Sequence, residues 1–107
     1  MSLLAVLSAE PADQLAWAAG HEVLTEAIVF DFDLVLRQAE ALELGAVPDL
    51  RSIDLLFGEM KVRDHSGLWA DTLAADPRWD EVRTAARRAL VRMCGDWRQP
   101  LPARVLR

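Results

Sequence analysis

The chain has 107 residues and one cysteine, Cys94, which excludes an internal disulfide and a cysteine-based zinc site and suits a reducing cytoplasm. Tyrosine is absent, and glycine and proline number only five each, so the composition favours a single all-α domain over a turn-rich sheet. A net charge of −5 argues against a nucleic-acid binder, which needs cationic surface to neutralise phosphates.

The charge is unevenly distributed along the chain. Residues 1 to 60 carry eleven acids against two bases, whereas residues 61 to 107 carry ten bases against six acids. We therefore expect the two halves to attract each other when they pack, or each to face a partner.

The first predicted elements are short helices. The apolar run from Leu3 to Leu7 is too short for a membrane span and lacks the cationic residues of a secretory signal. It is expected to close the core or to form a homodimer contact. A helix over 11–20 follows, with Gly20 as its stop. Its predicted stripe is Leu15, Ala16 and Ala19, with Trp17 off that stripe.

The next predicted helix, at about 31–44, is the central one. It starts at Asp31, and Gly45 stops it. Two of its faces are apolar, which places it in the middle of a bundle. One face carries Ile28, Phe32, Val35, Leu36, Ala39 and Leu42, and the other carries Phe30, Leu34 and Ala41.

Two further helices complete the predicted core. Asp49 is expected to cap a helix with the stripe Leu50, Ile53, Leu56, Phe57 and Met60. After a polar loop at 63–67 and a short helix, the C-terminal helix covers about 77–94, with Asp76 as its N-cap. Its predicted stripe is Trp79, Val82, Ala86, Ala89, Leu90 and Met93. The sequence thus predicts an all-α compact bundle of four to six helices over residues 1–95, with an extended or flexible tail at 96–107.

Residues 28–36, reading IVFDFDLVL, allow a second interpretation. As a hydrophobic strand followed by Asp31-x-Asp33, they resemble the first motif of the haloacid dehalogenase-like phosphatases. The resemblance implies a metal-dependent phosphatase in which Asp31 is the nucleophile and magnesium ligand and Asp33 the general acid. Leu34 stands where that motif usually has glycine, and the family's later lysine and acidic pair have no recognisable counterpart.

Chain length favours the helical interpretation, because the α/β core of that family needs more residues than remain here. On a helix, Asp31 and Asp33 lie about 200° apart and cannot share a metal. The histidines, His21 and His65, have no metal-ligand spacing. The sequence therefore predicts neither catalytic residues nor a metal or other cofactor.

Charged side chains supply the candidate binding residues. Two like-charge i,i+4 pairs on the C-terminal helix require acidic neighbours, from the protein's own acidic half or from a partner. These are Arg83 with Arg87 and Arg88 with Arg92. An acidic face on the two middle helices is predicted from Glu40, Glu43, Asp49, Asp54 and Glu59.

Together these features favour a non-enzymatic, cytoplasmic protein-interaction domain of bacterial type. The example that fits is an immunity or antitoxin-like inhibitor, which masks a basic partner protein through the acidic face. One alternative is a small-ligand or phosphatase-like protein that uses Asp31 and Asp33. A second alternative is a nucleic-acid accessory protein that uses the four arginines of the C-terminal helix. No membrane partner is expected.

Overall fold

The computed structural model describes residues 2–62 and 67–98, which form an all-α bundle as predicted. Within these residues six helices are present, and the only extended pairing is an isolated bridge. The helices are α1 (Ser2–Ser8), α2 (Pro11–His21), α3 (Thr25–Ala41), α4 (Val47–Met60), α5 (Trp69–Ala75) and α6 (Trp79–Cys94). Most of the predicted loop at 63–67, and positions 99–107 of the predicted tail, lie outside the described residues.

The most enclosed helix of the bundle is α1. Leu3, Leu4, Val6 and Leu7 are all buried, because the short α1 is apolar around its whole circumference. The longer α6 packs against both α1 and α4, whereas α3 packs chiefly on α4. The helix predicted over 31–44 lies mostly within α3, which packs on α1, α4 and α5.

Five aromatic side chains cross the core in a continuous row. Trp17 of α2 meets Trp69 of α5 edge-on at 6.2 Å between ring centroids, and Trp69 meets Trp79 of α6 at 5.8 Å. Trp79 is 5.8 Å from Phe57 of α4, which is 5.1 Å from Phe32 of α3. Each helix from α2 to α6 thus contributes one ring. Three of the four contacts are edge-to-face and that between Phe57 and Trp79 is tilted, and together they link all five helices.

The start of α3 depends on a contact distant in sequence. The Thr25 N–H donates to Gly67 O at 2.9 Å, and the Trp69 N–H donates to Val23 O at 2.8 Å. This pairing holds Leu24 and Leu68 in extended conformations directly before α3 and α5. Consequently α3 begins six residues before Asp31 and ends three residues before Leu44, and the prediction that Asp31 starts the helix is wrong.

Three helix ends share one geometry that the glycine pattern does not predict. Glu22, Glu43 and Lys61 follow α2, α3 and α4 in the left-handed conformation, with φ of 51°, 53° and 57°. The next N–H in each case bonds back to a carbonyl five residues earlier, as Leu44 N–H does to Ala39 O at 3.0 Å. The helices therefore do not stop at Gly20 and Gly45, the glycines that the sequence suggested.

Candidate interaction surfaces

The C-terminal end of α1 is buried, and side chains from α2 and α6 satisfy the carbonyls of its last three residues and of Ala9, which follows it. Gln14 Nε2 donates to Val6 O at 3.0 Å and to Leu7 O at 2.8 Å. Arg87 Nε donates to Ser8 O at 2.9 Å, and Arg83 Nε donates to Ala9 O at 3.0 Å. A buried helix end without such donors would be costly, and two positive charges also complement the negative end of the helix dipole.

Arg83 is the most enclosed of the four arginines, with 8% of its surface exposed. Its Nη2 donates to Gln14 Oε1 at 2.6 Å, and its Nη1 pairs with Asp80. The buried guanidinium is committed to these partners. In the fold, the charge of Arg83 stabilises the end of α1, and its role as a binding residue stays a prediction.

The remaining arginines of α6 find acids from the N-terminal half of the chain. Arg88 Nε and Arg92 Nε lie 3.4 Å and 2.7 Å from the two oxygens of the buried Asp49 carboxylate on α4. Arg87 Nη2 lies 3.4 Å from Glu10 Oε1. The expectation that the protein's own acidic half neutralises the arginines is confirmed at these contacts.

The five acids predicted as one face do not point to one surface. Asp49 is buried against α6 instead of facing solvent, and it lies in the first turn of α4 instead of capping it. Glu40 accepts two hydrogen bonds from Arg51, at 3.0 and 3.2 Å. Glu43 is exposed in the turn after α3, Asp54 is half-buried, and Glu59 is exposed. Of the five, Glu40, Glu43 and Glu59 are exposed to solvent.

The outward side of α3 carries large apolar side chains among acids. Phe30 is 51% exposed and Leu34, one turn later, is 45% exposed. Glu26, Asp33 and Arg37 lie along one flank of this pair at helical spacing. We call these five residues the α3 face. The second apolar face that the sequence assigned to the core is thus at the surface.

Neighbouring α4 carries a further exposed leucine. The Glu40–Arg51 ion pair joins the exposed sides of the two helices, and Leu55, one turn beyond Arg51, is 69% exposed. The apolar periodicity of α3 predicts burial on both sides, whereas one of these sides is exposed. A bundle of this size has no layer left to cover the second side.

Residues 28–36 all lie within α3, so the strand required by the phosphatase resemblance is not present. Asp31 and Asp33 are therefore on different sides of the helix. Among the residues that the structure describes, no group of three or more His, Cys, Asp or Glu side chains is arranged to hold a metal ion. His21 Nδ1 contacts Trp17 O at 2.8 Å, and His65 lies outside the described residues.

The carboxylate of Asp76 has a shifted pKa. Hydrogen bonds from the Arg78 side chain hold the pKa of Asp76 below its ordinary value, against the opposing effect of desolvation. Asp76 Oδ1 also accepts the Arg78 N–H at 2.9 Å in the turn that precedes α6, the contact expected of a capping aspartate. The regular helix begins at Trp79, two residues after the predicted start.

Comparison of the chain with protein-family models, with curated proteins and with solved structures gives no match. Across residues 2–62 and 67–98, none of the helices has both the length and the apolar character needed to cross a bilayer.

Proposed function

We propose that this protein is a non-enzymatic interaction domain that binds a basic partner protein through the α3 face. The observation that carries the proposal is the pair of exposed apolar side chains, Phe30 and Leu34, on a helix face that also presents Glu26 and Asp33. An immunity or antitoxin-like inhibitor that masks a basic toxin is the class that this surface suits.

Apolar exposure supports this choice of surface. Single exposed leucines are normal on proteins, but an aromatic ring and a leucine one turn apart form an anchor of the kind that dominates protein interfaces. A partner that covers the α3 face would remove these side chains from water, which is the main favourable term in association.

Charge supports the choice of partner. The chain has a net charge of −5, and the α3 face carries the two acids Glu26 and Asp33 against the single base Arg37. A surface of this kind accelerates encounter with a basic protein and repels acidic ones.

A cytoplasmic location accompanies the proposal. Cys94 is exposed and free, and such a thiol persists best in a reducing compartment.

The test begins with affinity capture from the host and with the product of the adjacent gene, followed by direct titration of the purified partner. We expect Phe30→Ser and Leu34→Ser each to weaken binding about tenfold or more, because each removes an apolar anchor. Leu15→Ser is the matched control, since Leu15 is also an exposed leucine but lies on α2. Glu26→Lys should slow association and reduce its dependence on salt.

Two results would count against the proposal. The first is the absence of any basic protein that binds in a salt-sensitive way. The second is equal weakening by Leu15→Ser and Leu34→Ser, since that result would place the contact away from the α3 face.

A further inference from the structure

A cleft of about 450 Å³ opens on the outward side of α6, near the C-terminal end of this helix. Three arginines, one tryptophan and two smaller side chains line it: Thr84, Arg87, Arg88, Val91, Arg92 and Trp97. The cleft is separate from the α3 face, and the proposed binding of a basic partner does not use it.

Two guanidinium groups at this cleft keep donors available. Arg88 and Arg92 are one helical turn apart, and both turn their Nε atoms toward Asp49. Within the described part of the chain, no other hydrogen bond or ion pair engages either guanidinium. Asp49 thus fixes the orientation of both groups from behind and leaves their Nη atoms for a ligand. Paired guanidinium edges match the geometry of phosphate or carboxylate oxygens.

The wall beside these donors is apolar and held in place. The Arg87 guanidinium stacks on the Trp97 ring at 3.7 Å from its centroid, while its Nε is bonded to Ser8 O. The Arg98 guanidinium also lies over this ring, at 5.0 Å from its centroid. Because Arg87 is held by Ser8 O and by Glu10, it positions the indole ring. Val91, half exposed between Arg88 and Arg92 in sequence, adds a second apolar surface.

The local charge favours an anion at one end of the cleft. Three arginines face two carboxylates there, Asp49 and the exposed Glu10. Toward the start of α6 the charge reverses, because Asp80 and Glu81 line a neighbouring hollow of about 330 Å³. An anion is therefore expected beside Trp97 and Arg92 and not beside Thr84.

We propose that this cleft binds a small organic oxyanion, a phosphate or carboxylate attached to an apolar group about the size of one ring. The oxygens accept from Arg88 and Arg92, and the ring packs against Val91 and Trp97. Tight binding needs both the oxygen contacts and the ring contact. Inorganic phosphate can make only the first.

The experiment is a titration followed by NMR at the indole N–H of Trp97, assigned with Trp97→Phe. The probes are phenyl phosphate, benzoate and inorganic phosphate. We expect a saturable shift with at least one of the two aromatic anions, and the tighter one identifies the preferred oxyanion. Inorganic phosphate should bind about tenfold more weakly, since it lacks the apolar contact.

Two variants of one exposed position test the site without disturbing the fold. Val91→Glu places a like charge among the arginines and should weaken the aromatic anion about tenfold, whereas the neutral Val91→Gln should retain most of the binding. Arg92→Gln should also weaken binding, and Arg51→Gln, which removes an exposed arginine on α4, should not. The proposal is overturned if no aromatic anion gives a saturable shift. It is equally overturned if Val91→Glu matches Val91→Gln, or if inorganic phosphate binds as tightly as phenyl phosphate.

Discussion

Replacing Arg83 with methionine should destabilise the fold strongly, although the change occurs at an arginine on a helix rich in arginines. The side chain of Arg83 is 10% exposed and connects α6 to the end of α1 and to Gln14. Methionine keeps much of the aliphatic volume and loses every donor. The substitution therefore removes the hydrogen bonds and the charge while it keeps most of the packing.

The expected magnitude follows from the groups left without partners. Ala9 O and Gln14 Oε1 would each lose a donor in a buried environment. An unsatisfied buried acceptor costs about 1–3 kcal/mol, so the pair should cost about 2–6 kcal/mol. The bond to Asp80 adds little, because that carboxylate is largely exposed. Against a typical stability of about 5–15 kcal/mol, this loss is large.

The assay is urea unfolding followed by far-UV circular dichroism, with Arg51→Met as the matched control. Arg51 is 63% exposed in its side chain and pairs with Glu40 at 3.0 Å. An exposed pair of this kind contributes about 0–1 kcal/mol. The same chemical change should therefore give very different losses of unfolding free energy at the two positions.

If Arg83→Met lowers the unfolding free energy by no more than about 0.5 kcal/mol, as a neutral surface change would, the hydrogen bonds of Arg83 do not stabilise the end of α1. Combination with Gln14→Leu provides a second check. Because the two side chains share one network, the double variant should lose less than the sum of the single losses, by about 0.5–3 kcal/mol. Strict additivity would show that the network does not act as a unit.

Three further outcomes follow from single contacts. Asp49→Ala should lower the free energy of unfolding by about 1–3 kcal/mol, because Arg88 and Arg92 lose their shared carboxylate; an equal loss in the Glu59→Ala control would contradict this. Glu43→Gly should raise the unfolding free energy by about 0.5–1 kcal/mol, since glycine adopts the left-handed conformation after α3 without steric cost; a loss in chemical denaturation would refute it. Asp76→Asn should reduce stability at about pH 7, where the carboxylate of the wild type is charged. Because the pKa of Asp76 is lowered in the folded state, the stabilisation by its carboxylate is present above pH 3.8 and is lost as the pH falls through the folded-state pKa. Thermal unfolding should therefore show the melting temperatures of the two proteins converging in acid. A gap that is constant with pH would exclude the ion pair as its source.

The elements that the sequence predicted best are those whose signals are local. The stripe of α6 has its predicted members Trp79, Val82, Ala86, Ala89 and Leu90 buried, and Gly95 ends the helix with φ of 84°. Asp76 and the acids of the first turn mark its beginning within two residues. Helical spacing, capping chemistry and a left-handed glycine all act over a few residues, so they can be recognised without the fold.

The face of α2 and the start of α3 could not be predicted in this way. Trp17 and Ala18 are buried while Leu15, Ala16 and Ala19 are exposed, the reverse of the predicted stripe. Both sides of α2 are apolar in sequence, and the row of aromatic rings decides which one faces inward. Likewise, α3 starts at Thr25 because its N–H meets Gly67, 42 positions away.

For the candidate surfaces too, local features could be predicted and features that depend on distant contacts could not. Like-charge spacing on α6 correctly predicted that its arginines need neutralising groups, but the partners of Arg83 and Arg87 include carbonyls 74 and 79 positions earlier. Every residue has a backbone carbonyl, so the sequence does not show which of them will accept a hydrogen bond from an arginine. Exposure of Phe30 and Leu34 depends on which helices remain to cover α3, and helical periodicity carries no information about that.

The capped end of α1 also bears on how the chain assembles. Helix α1 lies in a groove formed by α6 and α3. Side chains of α2 and α6 donate hydrogen bonds to its last carbonyls, as a receptor does to a bound peptide. Only Ala9 and Glu10 connect α1 to α2. Because this connection is short, the effective concentration of α1 at the groove is high. Helix α1 therefore behaves as a ligand that is covalently linked to the other five helices. A synthetic peptide with the sequence of α1 should compete for the groove only when the chain is cleaved between α1 and α2.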